Sequence, residues 1–317
     1  MKSIDALLTG LIDYAGLFPP ASEDMRPALE SYAAYLRGSD RKALGRFIVP
    51  ISRLQELEES GSDLMPRGAK TRPWYLSVLI SEDVRAARGE ILKFNRRHFS
   101  APSKRGARGV RGAGGGRAVI DVAELKASTV GQIEHQRSDL PTGITAYFEI
   151  PSTGDVSPLL KALARVGARA KIRTGGVTPE AFPPAPAIID FMSACRRETV
   201  PFKATAGLHH PVRGEYRLTH DADSKKWMMY GFLNLFIAAV LLYAGESDDT
   251  ALSDLEESDP SAFTFEEEEI QWRDKRVTVE QIHAARTELA ISFGSCSFRE
   301  PIDELARLTR RAKSTIQ

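Results

Sequence analysis

The sequence is poor in cysteine, in net charge and in long apolar runs, and each shortage excludes something. Only two cysteines, Cys195 and Cys296, occur in 317 residues. They lie far apart and fit no metal-ligand spacing, which leaves a reduced, cytoplasmic setting as the expectation. Lysine and arginine number 43 against 42 aspartates and glutamates, a formal net charge of +1, so the chain as a whole has no pull towards nucleic acid. The opening MKSIDALLTG lacks the long apolar core of a signal peptide. No repeat recurs at solenoid spacing. The basic, glycine-rich tract 100–117, SAPSKRGARGVRGAGGGR, lacks the Gly-Lys-Ser/Thr ending of a phosphate loop and reads as a flexible insertion.

One run approaches a membrane span. Residues 227–245, WMMYGFLNLFIAAVLLYAG, contain no charge over 19 positions, just enough to cross a bilayer. Asn234 interrupts the run, and no second span accompanies it. The expectation is a helix packed on a sheet, not a membrane protein. Met228, Leu235 and Leu242 recur at heptad spacing, and Phe232, Phe236 and Val240 line another stripe. Exposed on a monomer, such a surface is a liability. The sequence therefore predicts a homo-oligomer that joins through this helix, or burial of the helix beneath residues 246–285.

What is present is an alternation of strands and helices. Strand-like runs stand at 11–16, 46–51, 74–80, 118–126 and 144–150, then in the stretches ending at Lys171 and Lys203, and finally at 288–293. Helical patterns follow them, opening with Ser22 and Asp24 as candidate caps. Eight alternations predict an α/β protein, a closed (β/α)8 barrel of the TIM type spanning 1–317 in preference to a doubly wound sheet. The seventh crossover is unusually long, so residues 211–287 form a helix-plus-hairpin insertion. There Phe263 and Phe265 answer Ile270, Trp272 and Val277 across a solvated glutamate turn.

In such a barrel the active site lies at the C-terminal ends of the strands. That rule gathers Asp13, Asp121 or Glu124 with Lys126, Glu149, Lys171 with Arg173, Lys203 and the turn Gly294-Ser295-Cys296-Ser297. Strand alternation puts Lys171 with Arg173 on one face, and Lys203 with Thr205. On the fourth strand it sets Asp121 opposite Glu124 and Lys126, so that only a β-bulge brings all three inward. Mixed charge at one rim suits a lysine nucleophile beside a carboxylate that moves protons. Each residue taken singly also fits a plain ion pair at a barrel mouth. His209 and His210 are neighbours that point apart on a strand; one of them as base or ligand is compatible with the pattern, a shared metal site is not. Cys296 stands near a helix start, where thiolate is favoured, although a small residue in a tight turn is the commoner outcome.

Five ordered segments resemble the deoxyribose-phosphate aldolase type of class I aldolase barrel: LIDYAGLFPPASEDM, VIDVAELK, AYFEIPSTGDVSPLLKALARVGARAKIRTGG, VPFKATAGL and ISFGSCSF. The resemblance implies Lys171 as the Schiff-base lysine, Lys203 as the second lysine and Asp121 as the proton-relay carboxylate. It also implies a phosphate held by Thr174-Gly175, Gly207 and the Ser295-Cys296-Ser297 turn, at the last helix's N-terminus. Arg173 departs from the family pattern, which has a small hydroxyl residue there. The anion pocket read from the residues comprises Gly175-Gly176, Gly207 and residues 294–297, with His209 at its edge and charge from Arg173 and Lys203. The resulting expectation is an aldolase-like lyase acting on a small anionic carbonyl compound without cofactor or metal. Its alternatives are an imine-free lyase or isomerase with Glu149 or Glu124 as base and Arg173 with Lys126 holding a carboxylate, and a barrel that binds or assembles without catalysis.

Overall fold

The computed structural model describes residues 1–68, 70–81, 83–99 and 116–314, with 311–314 described by backbone alone. Nearly all of the glycine-rich tract lies outside the described residues. The chain begins with α1 (Lys2–Leu8) and β1 (Ile12–Tyr14), then α2 (Met25–Arg37), β2 (Leu44–Pro50) and α3 (Leu54–Gly61). It continues through β3 (Trp74–Leu79), α4 (Val84–Phe99), β4 (Ala118–Lys126), α5 (Val130–Asp139) and β5 (Thr145–Glu149). After α6 (Ser157–Arg165) come β6 (Arg169–Arg173), α7 (Ala185–Arg197) and β7 (Phe202–Thr205). Asp24 does stand at the N-cap of α2, but its side chain makes no cap hydrogen bond.

The insertion follows β7. It opens with an antiparallel hairpin of β8 (Gly214–Arg217) and β9 (Lys226–Met229), then α8 (Phe232–Tyr243) and α9 (Asp248–Leu255). Next is a three-stranded antiparallel sheet, β10 (Phe263–Phe265), β11 (Glu269–Trp272) and β12 (Lys275–Thr278). Phe263 faces Trp272 and Phe265 faces Ile270, as the sequence pattern requires, and β12 adds a third strand by setting Val277 beside Ile270. α10 (Val279–Glu288) starts on a capping box of Thr278 and Gln281. β13 (Ala290–Ser295) then pairs with both β7 and β1, closing an all-parallel eight-stranded barrel, and α11 (Arg299–Ser314) ends the chain's described part. The fold is a (β/α)8 barrel with its long insertion between the seventh and eighth barrel strands.

The apolar run does not form one helix. Its first residues are in β9, where Trp227 and Met228 are exposed, and the chain turns at Gly231 before α8 begins. Met228 therefore heads no helical stripe. Every residue from Phe232 to Leu242 is buried, because α8 is enclosed by α7, α9, α10 and β12 and its Phe232 and Phe236 rings meet Phe293 of β13. A helix covered on all sides by its own chain offers no face to a partner. The expected interface through this helix is thus replaced by burial within the insertion. Asn234 is fully satisfied there: its amide donates to the carbonyls of Asp254 and Glu257, and its oxygen accepts the Arg213 N–H. Among the described residues no helix is long and apolar enough to cross a membrane.

Candidate active site at the barrel mouth

The barrel interior is charged, and one irregularity on β4 decides how. Opposite β3, the register shifts between Leu76 and Ser77: Leu76 pairs with Ile120 and Ser77 with Val122. Asp121 is the extra residue of a β-bulge, so alternation restarts after it. Asp121 and Glu124 consequently both turn into the barrel, but at different heights. Asp121 meets Arg46 of β2 in a bidentate pair at 2.8 and 2.7 Å, towards the N-terminal end. It stands apart from the two lysines, and the place between them belongs to Glu124. Asp121, to which the resemblance gave the relay role, thus pairs with Arg46, and Glu124 is the carboxylate that lies between the lysines.

Glu124 is buried and holds three donors. Its Oε1 accepts from Lys203 Nζ at 2.7 Å and from the Ser77 hydroxyl at 2.7 Å, while Oε2 lies 2.9 Å from Lys171 Nζ. Lys203 Nζ also donates to Asp13 Oδ2 at 2.7 Å, and that oxygen accepts from Ser292 at 3.0 Å. Asp13 Oδ1 accepts the Arg46 backbone N–H at 2.7 Å. This approach requires glycine at 45, because a Cβ there would sit 2.3 Å from Asp13 Oδ1. On the other side Lys171 Nζ lies 3.1 Å from Glu149 Oε2, and Glu149 Oε1 is 3.5 Å from Arg173 and 3.6 Å from Lys126. The result is a chain of alternating charge, Asp13–Lys203–Glu124–Lys171–Glu149–Arg173, rising from the core to the rim.

Burial and neighbouring charge oppose each other along it. Burial alone would push the Glu124 carboxyl up, but the Lys171 and Lys203 ammonium groups hold it far below the usual carboxylate range. Glu149 behaves likewise: burial resists its charge, and Lys171 and Arg173 overcome that resistance. Burial would drive proton loss from Lys203, yet Asp13 and Glu124 raise its affinity for the proton above the ordinary lysine value. Lys203 is accordingly a fixed interior cation.

Above this chain opens a cavity of about 270 Å³. Lys171, Glu124 and Arg173 reach it, as do Thr205, Gly294 and His209, with Phe18, Pro19, Pro20, Ile48 and Leu79 as apolar walls. Lys203 does not line it. Lys126 stands outside, largely in solvent beside Glu149. Gly176 and Gly207 line the cavity, while Gly175 and Gly207 press together: a Cβ on either would come within 2.8 Å of the other's Cα. That close approach joins two loops. The Thr174 hydroxyl donates to the Ala206 carbonyl at 2.7 Å, the Ser295 hydroxyl accepts from the Ser297 N–H, and the Ser297 hydroxyl accepts from the Glu300 N–H. These three hydroxyls are engaged in local structure, so a phosphate in this turn would rely on backbone N–H groups. Cys296 lines the cavity with its Sγ 4.0 Å from His209 Nδ1.

Four residues of the network escape a sequence reading centred on strand ends: Gly45, Ser77, Ser292 and Tyr147. Tyr147 lies under Lys203, whose Nζ is 5.6 Å from the ring centre. The signal for the two serines is their position, each a lone serine inside an apolar strand (WYLSVLI and LAISF). Compared with known proteins, the chain matches no family model, no curated protein and no solved structure.

Proposed function

We propose that this barrel is an aldolase-like lyase that forms an imine between Lys171 and a small anionic carbonyl compound. The observation that carries the reading is that one buried carboxylate, Glu124, bridges two buried lysines, of which only Lys171 reaches the cavity. Lys203 puts a second positive charge on the far side of Glu124, and Lys171 is the one of the pair that can reach a carbonyl carbon in the cavity. The amine attacks the carbonyl carbon, the C–N bond forms, and the carbonyl oxygen leaves as water. Glu149, ionised and 3.1 Å from the lysine nitrogen, is placed to accept and return the protons of these steps. The protonated imine then takes up the electron pair of a breaking C–C bond as the substrate's β-hydroxyl gives up its proton and that fragment leaves as an aldehyde or ketone. The resulting enamine regains a proton at carbon to become an imine again. Hydrolysis restores Lys171. Arg173, half-exposed at the rim, provides the charge for a carboxylate or phosphate on the substrate.

Borohydride with a pool of small aldehydes and ketones tests this directly. A covalent adduct on Lys171, lost in Lys171→Ala, is the expected result. An adduct confined to Lys203 would reverse the assignment, and no adduct with any carbonyl compound would sink the imine. A second reading draws on the groove beside the cavity, where Lys126, Glu149 and Arg173 line one surface. There Glu149 removes a proton from a carboxylate substrate without an imine. That reading predicts solvent deuterium exchange into substrate that survives Lys171→Ala.

A further inference from the structure

A second constellation lies beside the cavity and takes no part in the lysine chemistry. Three side-chain groups suited to a metal ion, His210, Glu300 and Glu304, place one donor atom each within 4.8 Å of one another. Glu300 and Glu304 are one helical turn apart on α11, so both carboxylates project from the same face. His210 comes from the segment between β7 and β8, at the start of the insertion. Its ring stacks on Tyr216 with centroids 3.5 Å apart and planes 14° apart, which fixes the direction of its nitrogens. Nδ1 thereby lies 2.9 Å from Glu304 Oε2.

The donor atoms themselves suit a cation. The Glu300 Oε2 atom is buried and makes no hydrogen bond; His209 Nδ1, at 3.4 Å, is its nearby charge partner. Two carboxylates with one imidazole nitrogen form a donor set whose charge a dication balances. Donor separations of 2.9 to 4.8 Å bracket the edge of about 3.3 Å required by a tetrahedron with metal–ligand bonds near 2.0 Å.

We propose that His210, Glu300 and Glu304 form a binding site for a divalent transition-metal ion. The imidazole selects zinc-like ions over magnesium and calcium, which prefer oxygen-only shells. An ion bound there ties the first residues of the insertion to α11. Since His209, the neighbour of His210, lines the cavity, the ion also fixes that part of the cavity wall.

The test uses the full chain stripped with a chelator. Isothermal titration with Zn2+ should give one site per chain, and Co2+ should develop the visible absorption of a four- or five-coordinate centre. Zn2+ should raise Tm in a concentration-dependent way by mass action. The near-isosteric Glu304→Gln should weaken Zn2+ binding at least tenfold and remove the rise in Tm; His210→Gln should do the same. If the second variant disturbs the Tyr216 stack, Glu304→Gln still decides the matter. The proposal is overturned if no stoichiometric Zn2+ binds, if both variants bind it like the parent, or if Mg2+ binds as tightly.

Discussion

Two sets of charges share the barrel interior, and they are built on opposite plans. At the N-terminal end, Arg46 and Asp121 form a closed pair, two donors on two acceptors, each about a third exposed. In the middle layer, Lys203 is divided between Asp13 and Glu124, Glu124 between Lys203 and Lys171, and Lys171 between Glu124 and Glu149. The first arrangement satisfies each partner locally. The second runs as an open chain to a cavity. Closed pairs hold a fold, whereas a shared chain carries charge from the buried core out to the cavity.

The largest contrast is expected on removing the hub. Glu124→Ala leaves Lys203 short of one carboxylate and Lys171 with Glu149 alone, and should destabilise by about 3–5 kcal/mol, the range for breaking a buried pair. Asp121→Ala, at a partly exposed pair, should cost about 1 kcal/mol or less. Urea unfolding of both variants checks the ranking; equal losses would erase the distinction. Next in size is acid sensitivity. Glu124 and Glu149 are held below their unfolded values, so their contribution is complete above the unfolded pKa of about 4.3 and is lost as pH falls through the lower folded values. Stability should therefore decline progressively below about pH 4.3, and Glu124→Gln should flatten that decline; an unchanged slope would place the titration elsewhere.

A smaller structural effect with a full chemical one is expected for Lys171→Met. Glu124 retains Lys203 and Ser77, so unfolding should shift by about 1–2 kcal/mol, while trapping of any carbonyl compound disappears. Smallest of all is Arg46→Lys. It replaces a bidentate fork by a point charge, with an expected cost below about 1 kcal/mol and adduct formation at Lys171 intact. Loss of trapping in this variant would mean that the two sets are one network.

Much of this arrangement is legible in the sequence, for reasons that differ by element. β4 coincides with its expected span, and Lys171 faces Lys203 in adjacent parallel strands because each ends an apolar run before a glycine turn. The histidines diverge as neighbours should, with rings 6.5 Å apart, yet they sit in a loop and not on a strand. What stays hidden depends on contacts between distant segments. Nothing near Gly45 announces that Asp13 will need its space, and Glu300 with Glu304 gains meaning only when the β7–β8 segment lies over α11. The apolar run misleads for another reason. Hydrophobicity records that a segment will be hidden, not by what, and Gly231 divides the run where composition does not change.

The bulge at Asp121 has a consequence for how this protein tolerates change. Along β4 the reading frame of the strand is set twice, once for residues before the bulge and once after it. Substituting Asp121 removes the partner of Arg46, and deleting it removes the bulge but leaves Val122 opposite Ser77 and Glu124 opposite Leu79, so Glu124 still faces both lysines. At the bulge itself one residue can be lost without changing the face of Glu124; beyond it the backbone count is fixed. Deleting Asp121 should cost about as much stability as Asp121→Ala, whereas a one-residue insertion between Val122 and Glu124 should turn Glu124 towards the helices and be far more damaging.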